Sequence, residues 1–187
     1  HGIIINEFEK VKINFQSGKK EVEIFTEEEC LRMKNYEDIY CKVIFNLLID
    51  TGMRIGELCA LKWEDIDMNN RLINVNKTMQ RVCIPGKSHV IVTPPKSKSG
   101  IRSIPMTLNL VLLLEKLVDE YDHNTYILGS IKNVEKIEPR SCRYSYSTAL
   151  KKLGIPYRKV HTTRHTFATK LCKNTTDYKS VSKILGH

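Results

Sequence analysis

Apolar side chains along the chain recur first at helical spacing, then at strand spacing, then at helical spacing again. Ile39, Val43, Ile44, Leu47 and Leu48 lie on one side of a helix over about 37–50, and Gly52 is placed to close it. Upstream, Thr26-Glu27-Glu28-Glu29 has the form of a capping box, a Thr N-cap followed by Glu at the third helical position, and opens a short helix to about residue 35. A third helix is expected from about 54 to 61. The polar run Asp65–Asn70 is rich in turn formers.

The period then shortens. Segments 72–76, 89–93 and 101–105 have the composition of short strands, with Pro85-Gly86 and Ser99-Gly100 supplying turns between them. These read as a small three-stranded antiparallel meander set into a helical protein. Helical spacing resumes over about 107–122, where Leu110, Leu113, Leu114, Leu117 and Val118 form one stripe. It continues over about 139–153, which Gly154 and Pro156 stop, then over 162–173 and 177–185, the last with Asp177 as N-cap. The expected fold class is mainly α with a small three-stranded antiparallel β-sheet. Residues 1–24 are polar and mixed in charge. They read as a linker or arm, with a short strand at 11–15, ahead of one domain over 25–187. The His1-Gly2 start without Met suggests an excised fragment or a tag scar.

Composition narrows the function. The chain has 187 residues, 30 Lys and Arg, and 21 Asp and Glu, for a net charge of +9. That charge is unevenly placed. Residues 139–187 hold 11 basic residues and one acid, whereas the remainder holds 19 basic and 20 acidic. Such asymmetry points to a polyanion on one face, or else to solvated basic helices. No run of about 18 apolar residues is present, so no membrane span is expected. The six cysteines (Cys30, Cys41, Cys59, Cys83, Cys142, Cys172) form no C-x-x-C pair. Idle thiols in a reducing compartment fit this spacing better than a zinc ribbon or a disulfide scaffold.

Four clusters carry candidate chemistry. In Thr51–Leu58, Gly52 can end one helix in a left-handed conformation and so place Arg54 at the start of the next, where anions are already favoured. Glu57 follows on the same face, either to hold a side chain in place or as one half of a surface pair of little worth. In 94–100, Lys96 and Lys98 sit at the tip of a turn, where a lysine can neutralise a phosphate or donate a proton; the alternative is a solvated loop. In 161–169, His161, Arg164 and His165 share one helical face. The Arg fork fits two phosphate oxygens and a His can shuttle a proton. His161 and His165 also have the H-x-x-x-H spacing of a zinc helix, but Thr162 stands where a zinc protease helix has Glu, and no third ligand is suggested. The fourth cluster is Val181–His187, with Ile184 and Leu185 as core residues and His187 following Gly186.

Taken together and in this order, TGMRIGELCALKWEDID, the lysine turn, HTTRHTFATKL and VSKILGH resemble the signature boxes of the tyrosine recombinases, in particular the integrases of phages and conjugative transposons. The resemblance covers about residues 22–187. It implies the catalytic-domain fold of that family and a DNA strand transferase that works through a 3′-phosphotyrosine without metal or cofactor. Arg54 and Arg164 would grip the scissile phosphate. Lys96, with Lys98 as a close rival, would protonate the leaving oxygen. His161 would assist proton transfer, His187 would bond the phosphate, and Glu57 would support the others. His165 would pack or orient. Lys98 and Arg102 are assigned to DNA contact. The resemblance also implies double-stranded DNA as partner, a recombinase tetramer on two DNA sites, and a bacterial or phage-encoded protein of the cytoplasm. The family's nucleophilic tyrosine lies about ten residues past the Leu-Gly-His box, so the domain is expected to be C-terminally incomplete. Two other readings remain: a catalytically silent DNA-binding module of the same fold, and a zinc hydrolase built on His161 and His165.

Overall fold

A computed structural model describes residues 23–95, 97–174 and 178–186. The expected strand at 11–15 and the Asp177 N-cap lie outside them. Eight α-helices are described: α1 (Glu27–Lys34), α2 (Ile39–Thr51), α3 (Ile55–Ala60), α4 (Leu108–Val118), α5 (Ile127–Ile131), α6 (Pro139–Lys152), α7 (His161–Asn174) and α8 (Tyr178–Leu185). Five strands lie between α3 and α4: β1 (Ile66–Asp67), β2 (Leu72–Val75), β3 (Thr78–Ile84), β4 (Lys87–Thr93) and β5 (Arg102–Pro105).

The core is built around α2. Tyr40, Val43, Ile44, Phe45, Leu47, Leu48 and Ile49 are all buried, so this helix is covered on every side rather than along one stripe. Helices α1, α4, α5, α6 and α7 pack against it. Phe45 meets Tyr146 of α6 at 5.7 Å between ring centroids. At the other end of the core, Trp63 stacks on Tyr121 at 5.7 Å, and its indole N–H donates to Ser130 Oγ at 2.9 Å. The Thr26 capping box forms as expected, with Thr26 Oγ1 accepting from Glu29 N and Glu29 Oε2 accepting from Thr26 N.

The fold class is the expected one, and a three-stranded antiparallel sheet is present, but its strands differ from the expected meander. The sheet runs β1-β2-β5, pairing Ile73 with Ile66 on one side and with Ile104 on the other. The segment 89–93 belongs to a separate hairpin, where β4 pairs with β3 from Thr78↔Thr93 to Ile84↔Lys87 around Pro85-Gly86. Strand β3 escaped the sequence reading for a physical reason. Beyond Met79 it is exposed or half-exposed along its length, so no buried face imposes alternation on Gln80-Arg81-Val82-Cys83. Strand β1 lies within the segment read only as turn-rich, and α5 was not anticipated.

Candidate active site

The site begins at the corner between α2 and α3. Gly52 closes α2 at φ +62°, and its N–H donates to Leu48 O. A side chain there would be strained by that φ, and a Cβ would stand 2.3 Å from Cδ1 of Phe167 on α7. The corner therefore lets α7 approach closely and puts Arg54 at the N-cap of α3.

Glu57, one turn into α3, gathers this corner. Its Oε2 accepts from the Arg54 backbone N–H at 2.8 Å and its Oε1 from the Arg54 guanidinium at 3.0 Å. On its other side Arg102 of β5 donates to the same two oxygens at 3.1 and 2.8 Å. Burial alone would push the Glu57 carboxyl up. The bonds and charges of Arg102 and then Arg54 outweigh it and hold the group below its ordinary value.

Arg164 reaches the same place from α7. Its guanidinium donates to Gly52 O at 2.9 Å and to Leu185 O. Burial, and after it the neighbouring Arg54 and Arg102 cations, brings Arg164 down to about 10, with Glu57 acting in the opposite sense. Arg164 stays charged at neutral pH. Two guanidinium groups, Arg54 and Arg102, thus bond one carboxylate at the mouth of a cleft, and the third, Arg164, lies close enough to feel all three charges. Arg54, 43% exposed at its side chain, faces that mouth, whereas Arg102 and Glu57 are buried at 3% and 4%.

Two depressions meet at Arg54. One is lined by Arg54, Glu57, Thr78, Ser97, Gly100 and Gly186, so it lies between the lysine turn and the end of α8. The other is lined by Arg54, Arg143, Tyr157, Lys159 and His161. The structure therefore brings Arg54, Glu57, Arg164 and His161 to one locus. His161 is exposed at the start of α7 and meets His165 edge-on at 4.7 Å between ring centroids. Among the described residues no group of three or more His, Cys, Asp or Glu could hold a metal ion. Lys96 and His187 lie outside the described residues. Lys98 begins a short 3-10 turn, Lys98–Gly100, whose last residue, Gly100, lines the first depression together with Ser97.

Arg102, expected as a DNA contact, is placed otherwise. Besides Glu57 it donates to Gly100 O at 3.1 Å and, through Nε, to Ile184 O at 2.8 Å, so its head is enclosed by the protein. Its alternation in β5 settles this, because Arg102 and Ile104 point inward while Ser103 and Pro105 point out. Arg158, one of the 11 basic residues of the C-terminal segment, is also engaged internally. It pairs with Glu29 at 2.9 Å and covers the Phe25 ring at 4.9 Å. Arg143, Tyr157 and Lys159 were not singled out in the sequence. The basic dipeptide ahead of His161 was the available signal.

Comparison with known proteins gives the chain a family. The phage integrase family model matches residues 19–187. A XerC-like tyrosine recombinase of Caldanaerobacter subterraneus is 33% identical over 186 residues, covering 89% of this chain and 48% of that protein. The transposase of transposon Tn916 from Enterococcus faecalis is 27% identical over 173 residues, covering 82% of this chain and 39% of that protein. The chain thus spans about half the length, or less, of these relatives. Among solved structures, the Tn1549 transposon integrase in complex with circular intermediate DNA has a TM-score of 0.74 at 23% identity, over 90% of this chain and 60% of that one. The XerA recombinase has a TM-score of 0.70 at 26% identity, over 88% and 56%. With the family model matching almost the whole chain and including the Arg54, Glu57, His161 and Arg164 locus, this chain belongs to the phage integrase family, among relatives that are tyrosine recombinases.

Proposed function

We propose that residues 25–187 form the catalytic domain of a site-specific DNA recombinase, with 1–24 as a leading arm. In this reading a tyrosine hydroxyl, from sequence following His187, attacks phosphorus in one DNA strand. The bond between tyrosine oxygen and phosphorus forms as the bond from phosphorus to the 5′ oxygen breaks. The phosphotyrosyl link then conserves the bond for religation to another strand. Arg54 and Arg164 hold the two non-bridging oxygens and offset the charge that grows on them. The tyrosine proton passes toward His161, and a turn lysine, Lys96 or Lys98, supplies a proton to the departing 5′ oxygen. His187 donates to the phosphate. No metal or cofactor is invoked, because the guanidinium cluster itself supplies the positive charge.

The observation that carries this reading is the meeting of Arg54, Arg164 and His161 at one cleft, two planar forks and an imidazole in the arrangement that suits a phosphodiester. Double-stranded DNA is the proposed partner, with recombinase tetramers acting on two sites, in the cytoplasm of a bacterium. Among the described residues no helix is long and apolar enough to cross a membrane.

The test is covalent capture. Full-length protein is mixed with duplexes carrying a nick and a randomised core, and adducts that survive detergent but not protease are collected. The expected result is a phosphotyrosyl adduct on a restricted set of cores. A folded protein that binds the duplexes and never forms an adduct would leave only a DNA-binding module of this fold.

A further inference from the structure

Arg102 lies where three segments distant in sequence meet. Its fork faces the Glu57 carboxylate of α3, its Nη1 also reaches the Gly100 carbonyl at the end of the lysine turn, and its Nε reaches the Ile184 carbonyl near the end of α8. The segments touch one another there as well. A Cβ built on Gly186 would stand 2.9 Å from the Ser99 carbonyl and 3.3 Å from Arg102 Nη1, so the end of α8 lies directly on the turn. Arg102 does not line the cleft that these segments enclose, whereas Glu57, Gly100 and Gly186 do.

We propose that Arg102 is a positioning residue for strand cleavage: it fastens the lysine turn and the end of α8 to Glu57, and through Glu57 it fixes the direction of Arg54. The proposal rests on the recombinase reading above. Its physical basis is the guanidinium shape. One planar group serves a carboxylate edge and two carbonyls in different directions, which a lysine ammonium on a flexible stem does not reproduce. Stability alone is a poor reason to keep a charge there. A buried ion pair is often matched or bettered by apolar residues of the same volume. Holding three segments in one geometry is a use for which an apolar residue does not substitute.

The test uses Arg102→Met and Arg102→Lys in the full-length protein, with cleavage and binding measured separately. At saturating DNA both variants are expected to cleave about 100-fold more slowly, the scale of a misplacement near 1 Å at a reacting centre. The DNA concentration at half-saturation is expected to move by less than about threefold, and the slope of log affinity against log salt to stay unchanged. Because the effect runs through Glu57, Glu57→Gln with Arg102→Met is expected to be slower than Glu57→Gln alone by no more than about threefold. Parent-rate cleavage by Arg102→Met overturns the proposal. So does a salt slope shallower by about one, which marks a direct phosphate contact. Loss of the thermal unfolding transition in both variants overturns it in favour of a scaffold role. If the parent protein never forms an adduct, the recombinase reading falls as well; a cleaving parent with freely cleaving variants sinks only the proposal for Arg102.

Discussion

Replacing Glu57 by Gln keeps the size of the side chain and removes its charge, which makes it the sharpest probe of the cluster. In the parent, each carboxylate oxygen accepts twice, Oε2 from the Arg54 backbone and Arg102, Oε1 from the Arg54 and Arg102 guanidiniums. Gln keeps one acceptor oxygen and turns an NH2 toward donors where the other stood. Two bonds to charged groups are lost, at about 1.5–3 kcal/mol each. Viewed instead as a broken buried ion pair, the loss is about 3–5 kcal/mol. Both figures count the same interaction, so about 4 kcal/mol is expected rather than their sum. A domain of this size melts about 2–4 °C lower for each kcal/mol, so the melting temperature should fall by about 8–16 °C at pH 7. The pH dependence fixes the cause. Folding lowers the Glu57 pKa, so the ionised form is the stabilised one. Its contribution is complete above the ordinary carboxylate pKa and disappears as pH falls through the lowered folded value. Melting curves followed by circular dichroism should show a constant gap between parent and variant from about pH 8 to pH 5, closing progressively below about pH 4. A fall of less than about 3 °C at pH 7, or a gap that persists unchanged into acid, would refute the idea that the ionised carboxylate holds Arg54 and Arg102 together.

Two further outcomes are expected. Arg164→Ala should slow adduct formation by about 10²–10³-fold while leaving DNA affinity, measured by fluorescence anisotropy, within about fivefold, because many other cations hold the backbone; near-parent cleavage would contradict the assignment. Gly186→Ala forces a side chain into φ +72° and against the Ser99 carbonyl, so urea unfolding should show a loss of about 1–3 kcal/mol, and an unchanged midpoint would mean that α8 does not seat on the turn as described.

The helices were largely legible in the sequence because each buries a face of period 3.6, and α2 announced itself with a closing Gly. The strands were legible only where a core demanded alternation. Ile73 and Ile104 point inward from β2 and β5, and both strands were found. The hairpin of β3 and β4 has little core beneath it, so β3 left no pattern to read. The site divides the same way. Arg54, His161 and Arg164 were legible because their spacing within a helix is a local property. The inward direction of Arg102 was not legible because the direction of a strand side chain depends on register, and its partners, Glu57 and Ile184, are 45 and 82 residues away. The excess of basic residues after 139 overstated the exposed charge, since Arg158 and Arg164 are engaged inside the protein.

The hydrogen bond from Arg164 to the Gly52 carbonyl links the second arginine to a peptide only two residues from the first. The base of the second guanidinium is therefore tied to the backbone beside the first by a short loop of covalent and hydrogen bonds. Loosening of the β3–β4 hairpin at its exposed tip would change the shape of the cleft and leave the anchoring of Arg164 beside the Arg54 backbone intact.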